Sequence, residues 1–205
     1  MRKTGGVYKK VINALTTYCT LFRLKCHYAV IGKHPRFCGL LHFSLASGAK
    51  LSIGNNCIIQ SGGFRNEIGR NSSSLFTLYE GASLTIGDFV SMSDVAISVR
   101  NSISIGNHVT IGGDVLLIDS NAHCLRWEDR RLERKYYQKL EKQGKIKHVP
   151  IIIEDDVFIG TRSIITKGVT IGARSIVAAG SVVIKSIPSD EIWGGNPAKF
   201  IKKIK

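Results

Sequence analysis

The chain has 205 residues, enough for one domain with small appendages, and its 43% hydrophobic and 21% charged residues belong to a globular protein, not a disordered one. No stretch approaches the roughly 20 apolar residues needed to cross a bilayer, so a membrane-spanning role is set aside. A net charge of +14 asks for an anionic partner, such as a phospholipid surface, an acidic glycan, a polyphosphorylated cofactor or a nucleic acid.

Residues 1–30 form a basic, amphipathic, helical segment. Val11, Leu15, Tyr18 and Phe22 share one helical face, with Ile12 and Cys19 beside them and basic residues at both ends. A charged start also suits a signal peptide, but no small-x-small cleavage site follows. Two roles fit this helix: covering the end of the next unit, or resting on an anionic membrane surface. The five cysteines are odd in number and make no CxxC pair, which disfavours a disulfide framework or structural zinc and points to a reducing cytoplasm. The expected location is therefore cytoplasmic, with peripheral contact at the inner membrane face as the membrane variant of this reading.

From residue 31 a period of six emerges. It is irregular at Leu51–Cys57 and Ile68–Ser72, and sharpens around Ile86, Ile105 and Ile111. Over Ile153, Ile159, Ile165, Ile171, Val177 and Val183 it is unbroken, and four residues after the first five stand Val157, Ser163, Val169, Ser175 and Ser181. Six matches neither a helical face nor simple strand alternation. It matches a solenoid in which each hexad is one short strand with one aliphatic residue inward. The 21 glycines against 4 prolines, with Asn and Asp, suit tight corners of left-handed backbone. The step from Met92 to Ile105 is thirteen, which places one bulged residue between them. The step from Leu117 to Ile153 is thirty-six, so register returns after residues 124–148, a charged insertion expected to project as a loop with a helical turn or two in its middle. The repeat ends at Ile187-Pro188, leaving a basic tail over 189–205. The domains read as 1–30, 31–188 and 189–205.

The hexads, the run from Gly168 to Pro188 and the tail from Gly194 to Ile201 resemble the hexapeptide-repeat acyltransferases, nearest the maltose, galactoside and polysaccharide O-acetyltransferase branch. The resemblance covers about residues 50–205. It implies a left-handed parallel β-helix, three hexads to a coil, and a homotrimer with sites between neighbours; periodicity alone specifies a solenoid, not its hand. The expected fold class is thus an all-β solenoid with an N-terminal helix, one projecting loop and a short C-terminal tail. The implied activity is transfer of an acetyl group from acetyl-CoA to a hydroxyl of a sugar or glycan precursor, with no metal.

Such transfer needs a base for the hydroxyl proton, and His serves near neutral pH. His123 stands just before the insertion, where the family places its base. Asp119 and Asn121 flank it, either orienting the ring, binding the sugar, or merely turning a corner. Ser93 stands where the galactoside branch has an acceptor-binding Asn, and a shorter side chain weakens that correspondence. Trp127, Tyr136 and Tyr137 can stack on sugar rings, and Phe158 stands where relatives often carry Trp. For the cofactor, family position implies Thr161, Ala179 and Lys185 along the groove, Ala178 and Gly180 giving the backbone room, and Lys199 and Lys202 meeting phosphate. Basic termini and insertion suit an anionic or lipid-linked acceptor. Three readings compete with this one: N-acetylation of an amino sugar nucleotide, a non-catalytic β-helix, and a zinc enzyme using His108, His123 and His148, whose spacing lacks the close pair of ligands zinc needs. Nucleic-acid binding explains the charge but not the hexads.

Overall fold

A computed structural model describes residues 4–62 and 72–205. The hexad at Ile68 lies outside these residues. Helix α1 (Thr4–Cys26) leads into six coils of a parallel β-helix with three faces. Face A stacks Val30–Ile31, Lys50–Ile53, Ser83–Ile86, Ser102–Ile105, Ile151–Ile153 and Thr170–Ile171. Face B stacks Arg36–Cys38, Ile58–Gln60, Ser91–Ser93, Thr110–Ile111, Phe158–Ile159 and Ile176–Val177. Face C stacks His42–Leu45, Leu75–Leu78, Ala96–Val99, Leu116–Ile118, Ile164–Thr166 and Val182–Val183. The hand is left.

The six-residue period becomes vertical ladders of side chains. Ile86, Ile105, Ile153 and Ile171 stack on face A, Met92, Ile111, Ile159 and Val177 on face B, and Ile97, Leu117, Ile165 and Val183 on face C. All are buried, and so are Val157, Ser163, Val169, Ser175 and Ser181. The buried serines stay hydrogen-bonded: Ser163 donates to the Ala178 carbonyl at 3.1 Å and Ser175 to that of Pro188 at 2.6 Å. Corners are closed by a ladder of their own, in which Asn55 accepts from Lys33 N, Asp88 from Asn55 N, Asn107 from Asp88 N and Asp155 from Asn107 N, all at 2.7–2.8 Å. The coils approach so closely beside this ladder that a Cβ on Gly106 would lie 2.8 Å from the Asp155 nitrogen.

The thirteen-residue step does not come from one bulge. Met92 to Ile97 across the B–C corner is five residues, whereas Ile97 to Ile105 across the C–A corner is eight. The C–A corner is wider still in the earlier coils, with ten residues from Phe43 to Ile53 and from Phe76 to Ile86, and narrows to six from Ile165 to Ile171. The insertion folds back along this widened edge. Sixteen of its residues form helix α2 (Trp127–Lys142), kinked at Tyr136, well beyond the expected turn or two. Arg100 anchors the helix from the third coil: its guanidinium lies 3.6 Å from the Tyr79 ring centroid and 5.0 Å from that of Tyr137, and pairs with Glu141 at 2.9 Å. Cys124, Leu140 and Ile146 make a small separate core beneath the helix.

The tail is a β-hairpin. Glu191–Gly195 pairs in parallel with Ile176–Val177 and antiparallel with Ala198–Lys203, which extends face B. Gly194, Gly195, Asn196 and Pro197 turn it, Gly195 at φ +99°. Trp193 packs against the last coil with its indole N–H on Glu191 at 2.7 Å, so it caps the solenoid.

Candidate active site

His123 sits at the C–A corner of the fourth coil, where the chain leaves face C for α2. Its ring is 67% exposed and its Nδ1 lies 2.6 Å from Oε2 of Glu133, a carboxylate only 9% exposed. The other Glu133 oxygen accepts the Cys124 backbone N–H. Burial works against the Glu133 charge, but the Cys124 amide and His123 outweigh it and hold its pKa below the ordinary carboxylate value. An ionised carboxylate has no proton to give, so Nδ1 is the donor of this pair, and in the neutral ring Nε2 is then the acceptor. This is the arrangement a general base requires: a fixed ring, an assigned tautomer and a free lone pair. Arg130, Glu133, Arg134 and Tyr137 line the cleft around the ring, and the Tyr137 hydroxyl donates to the Ala122 carbonyl at 3.1 Å.

Asp119 and Asn121 do not orient the ring. Asp119 is fully buried and accepts the backbone N–H groups of Arg100 at 2.8 Å and Asn101 at 2.7 Å, closing the corner beneath the site. Burial raises its pKa despite those donors. Asn121 donates its backbone N–H to the Lys147 carbonyl at 3.0 Å, so both residues build the neck of the insertion. Glu133 was not among the sequence candidates. One faint signal existed: Glu133, Tyr137 and Leu140 share a helical face in an otherwise charged segment. Cys124 is buried, and burial followed by Glu133 raises its thiol pKa, which keeps it protonated and unreactive.

Glu133→Gln is expected to reduce turnover by about 10²- to 10⁴-fold, through loss of the tautomer and ring orientation. Its readout beyond rate is acid stability. A depressed carboxylate contributes stability above its unfolded pKa of about 4.3, lost as pH falls through its lower folded value. The variant's melting temperature should lack that component between about pH 5 and the acid limit.

The remaining candidates fall into separate places. Ser93, Phe158, Thr161, Ala178 and Ala179 line one cleft of ≈350 Å³ along face B and the B–C corner. Small residues line it at the corner, Ile58, Phe158 and Ile176 line it on face B, and a Cβ on Gly160 would stand 2.5 Å from the Ala179 nitrogen. Thr161 Oγ1 donates to the Gly113 carbonyl at 2.5 Å. Gly180 turns the same corner at φ +71°. Lys199 and Lys202 are exposed on the hairpin that extends face B, Lys199 opposite Gly194, whose neighbour is the Ala178 side chain. A largely apolar trough with glycines and alanines at its corner, ending near lysines, fits a pantetheine arm and its phosphates. Lys185 is not part of it: it is exposed on the C–A corner, two coils beyond His123. Trp127 is half exposed under Arg131 and lies outside the cleft around His123. No group of three metal-ligating side chains occurs among the described residues.

A family pattern described as "Hexapeptide repeat of succinyl-transferase" matches residues 150–185. The chain is 31% identical over 152 residues to galactoside O-acetyltransferase of Lactococcus lactis, covering 74% of this chain and 62% of that one. It is 53% identical over 55 residues to 2,3,4,5-tetrahydropyridine-2,6-dicarboxylate N-acetyltransferase of Clostridium perfringens, covering 27% and 23%. The chain thus spans less than two thirds of either relative. Among solved structures, a point mutant of AntD, an N-acyltransferase from Bacillus cereus in complex with dTDP and coenzyme A, superposes with a TM-score of 0.61 at 20% identity over 86% of this chain and 83% of that one.

Proposed function

We propose that this chain, whose coils and repeat match the hexapeptide-repeat, left-handed β-helix acyltransferases, transfers an acetyl group from acetyl-CoA to a hydroxyl of a sugar or glycan precursor. The observation that carries the reading is the exposed imidazole of His123, held at Nδ1 by the buried Glu133 carboxylate. The thioester supplies the acyl group. His123 Nε2 takes the proton of the acceptor hydroxyl as its oxygen attacks the thioester carbonyl, and Glu133 stabilises the imidazolium that forms. Collapse of the tetrahedral intermediate breaks the C–S bond as the imidazolium returns the proton to the departing CoA thiolate. Arg130 and Arg134 beside the ring suit an acceptor carrying negative charge.

The reading includes a homotrimer with composite sites. On a triangular prism the C–A edge, with His123, is opposite face B, with the trough. One protomer therefore holds the base and a neighbour holds the carrier, and Lys185 on the base's own edge would face the neighbour's trough. Pairing of a C–A edge with a partner's face B closes cyclically about a three-fold axis, which is a heterologous interface.

N-acetylation remains the competing chemistry, since an N-acetyltransferase stands among the relatives. Incubation with acetyl-CoA and paired acceptors, a sugar bearing only hydroxyls and its amino-sugar counterpart, separates the two. The expected result is CoA release and a product heavier by one acetyl with the hydroxyl acceptor. Acetylation confined to the amine would overturn the hydroxyl assignment.

A further inference from the structure

Helix α1 is turned the wrong way for a soluble protein. Its inward side meets the first coil through hydroxyls: Thr16 Oγ1 donates to the Phe37 carbonyl at 2.7 Å and accepts from Gly39 N at 3.3 Å, and Thr17 Oγ1 accepts from Phe37 N at 3.0 Å. Thr20 is fully buried beside them, and Leu24 is the one fully buried apolar side chain among the described residues of the helix. Its outward side carries Tyr8, Val11, Leu15, Tyr18 and Phe22, each more than half exposed. Tyr28 and Val30, 94% and 67% exposed, continue the apolar surface onto the first coil. Amphipathic helices ordinarily bury the apolar stripe and present the polar one. An aromatic-rich stripe left outside marks a contact surface.

Charge identifies what covers it. The first 66 residues hold ten Lys and Arg and no Asp or Glu, so they account for +10 of the chain's net +14. Lys10, Lys25, Lys33, Arg36 and Lys50 are exposed on the helix and the first two coils. A second copy of the same surface would bring these cations against one another, which disfavours self-association. An anionic bilayer accepts both features, because aromatic side chains sit in the headgroup layer and lysines meet phosphate. No helix among the described residues is long and apolar enough to cross a membrane, so the contact would lie in the interface plane.

We propose that α1 and the first coil form an anionic-lipid-binding surface, with the apolar stripe inserted at the headgroup boundary and the surrounding lysines on the lipid phosphates. The proposal goes beyond the acyl-transfer reading and stands independently of it.

The test is cosedimentation of the full chain with phosphatidylcholine vesicles, with and without phosphatidylglycerol. Binding should be at least about tenfold tighter with the anionic lipid and should weaken at high salt. Leu15→Ser with Phe22→Ser should weaken it by about tenfold or more, and each of Lys25→Glu and Lys33→Glu by about fivefold or more. All four side chains point outward, so circular dichroism and acyl-transfer rate in solution should match the parent and confirm folding. Equal affinity for both vesicle types, or unchanged binding by the serine variant, would overturn the proposal. So would a concentration-dependent oligomer that the serine variant dissolves, since the stripe would then join copies of the chain.

Discussion

His123→Ala is expected to lower kcat by about 10²- to 10⁴-fold while leaving KM for acetyl-CoA near the parent value. The magnitude is that of a positioned general base. The asymmetry follows from placement: the ring belongs to the C–A edge, and the trough proposed for the carrier lies on face B, built by residues the substitution does not touch. The ring makes no contribution to the core, being 67% exposed, so folding should be retained. Single-turnover measurement with saturating acetyl-CoA checks the chemical step directly. Near-parent activity would sink the assignment of His123, and a large rise in KM with unchanged kcat would move the residue from chemistry to carrier binding.

Under the proposed trimer, two defective variants should restore each other when mixed. Ala179→Trp fills the trough at an exposed position and should raise KM for acetyl-CoA by about tenfold or more. Assayed at low acetyl-CoA, it and His123→Ala are each nearly inactive. In a trimer whose sites pair one protomer's base with the next protomer's trough, random co-assembly of equal amounts gives intact sites wherever a trough variant supplies the base to a base variant. About one site in four meets that condition. Co-refolded mixtures should therefore recover roughly a quarter of parent activity, whereas mixing without subunit exchange recovers none. Absence of recovery in mixed trimers verified by mass would place base and carrier within one protomer.

The solenoid was legible because its cause is local and repeated. Each hexad must put one aliphatic residue inward and close one corner, so Ile153 to Val183 announce the coils without reference to anything distant. The corners of the first three coils were not legible in the same way. Their extra residues between Phe43 and Ile53, Phe76 and Ile86, and Ile97 and Ile105 break the cadence without leaving a period of their own. Helix α2 was hidden for a related reason: its support comes from Tyr79 and Arg100, far away in sequence, and only Glu133, Tyr137 and Leu140 mark its inner side. The orientation of α1 was not given by its pattern either. Val11, Leu15, Tyr18 and Phe22 do share a face, but the strand Arg36–Cys38 offers unpaired backbone groups, and threonine hydroxyls satisfy those where aliphatic side chains would not. At the candidate site, His123 was singled out by the family resemblance, which implies a base just before a break in the repeat. Its partner was not, because a carboxylate ten residues away inside a run of charges looks like solvated surface until the helix is folded.

The widened C–A edge carries a consequence for how the chain is made. A ribosome releases the polypeptide from its amino end, and a stacked array can propagate from whichever turns form first, the early coils among them. The wide corners of the first three coils, with Tyr79 and Arg100 on them, are synthesised before residue 124 exists. The ledge is in place before its occupant arrives. On that route helix α2 can dock backward onto coils already formed, bringing Glu133 to His123, while the coils from Ile151 onward add to the exposed rim of the fourth. The pairing of base and carboxylate can thus be completed early in synthesis, without the final coils, the hairpin or a neighbouring subunit.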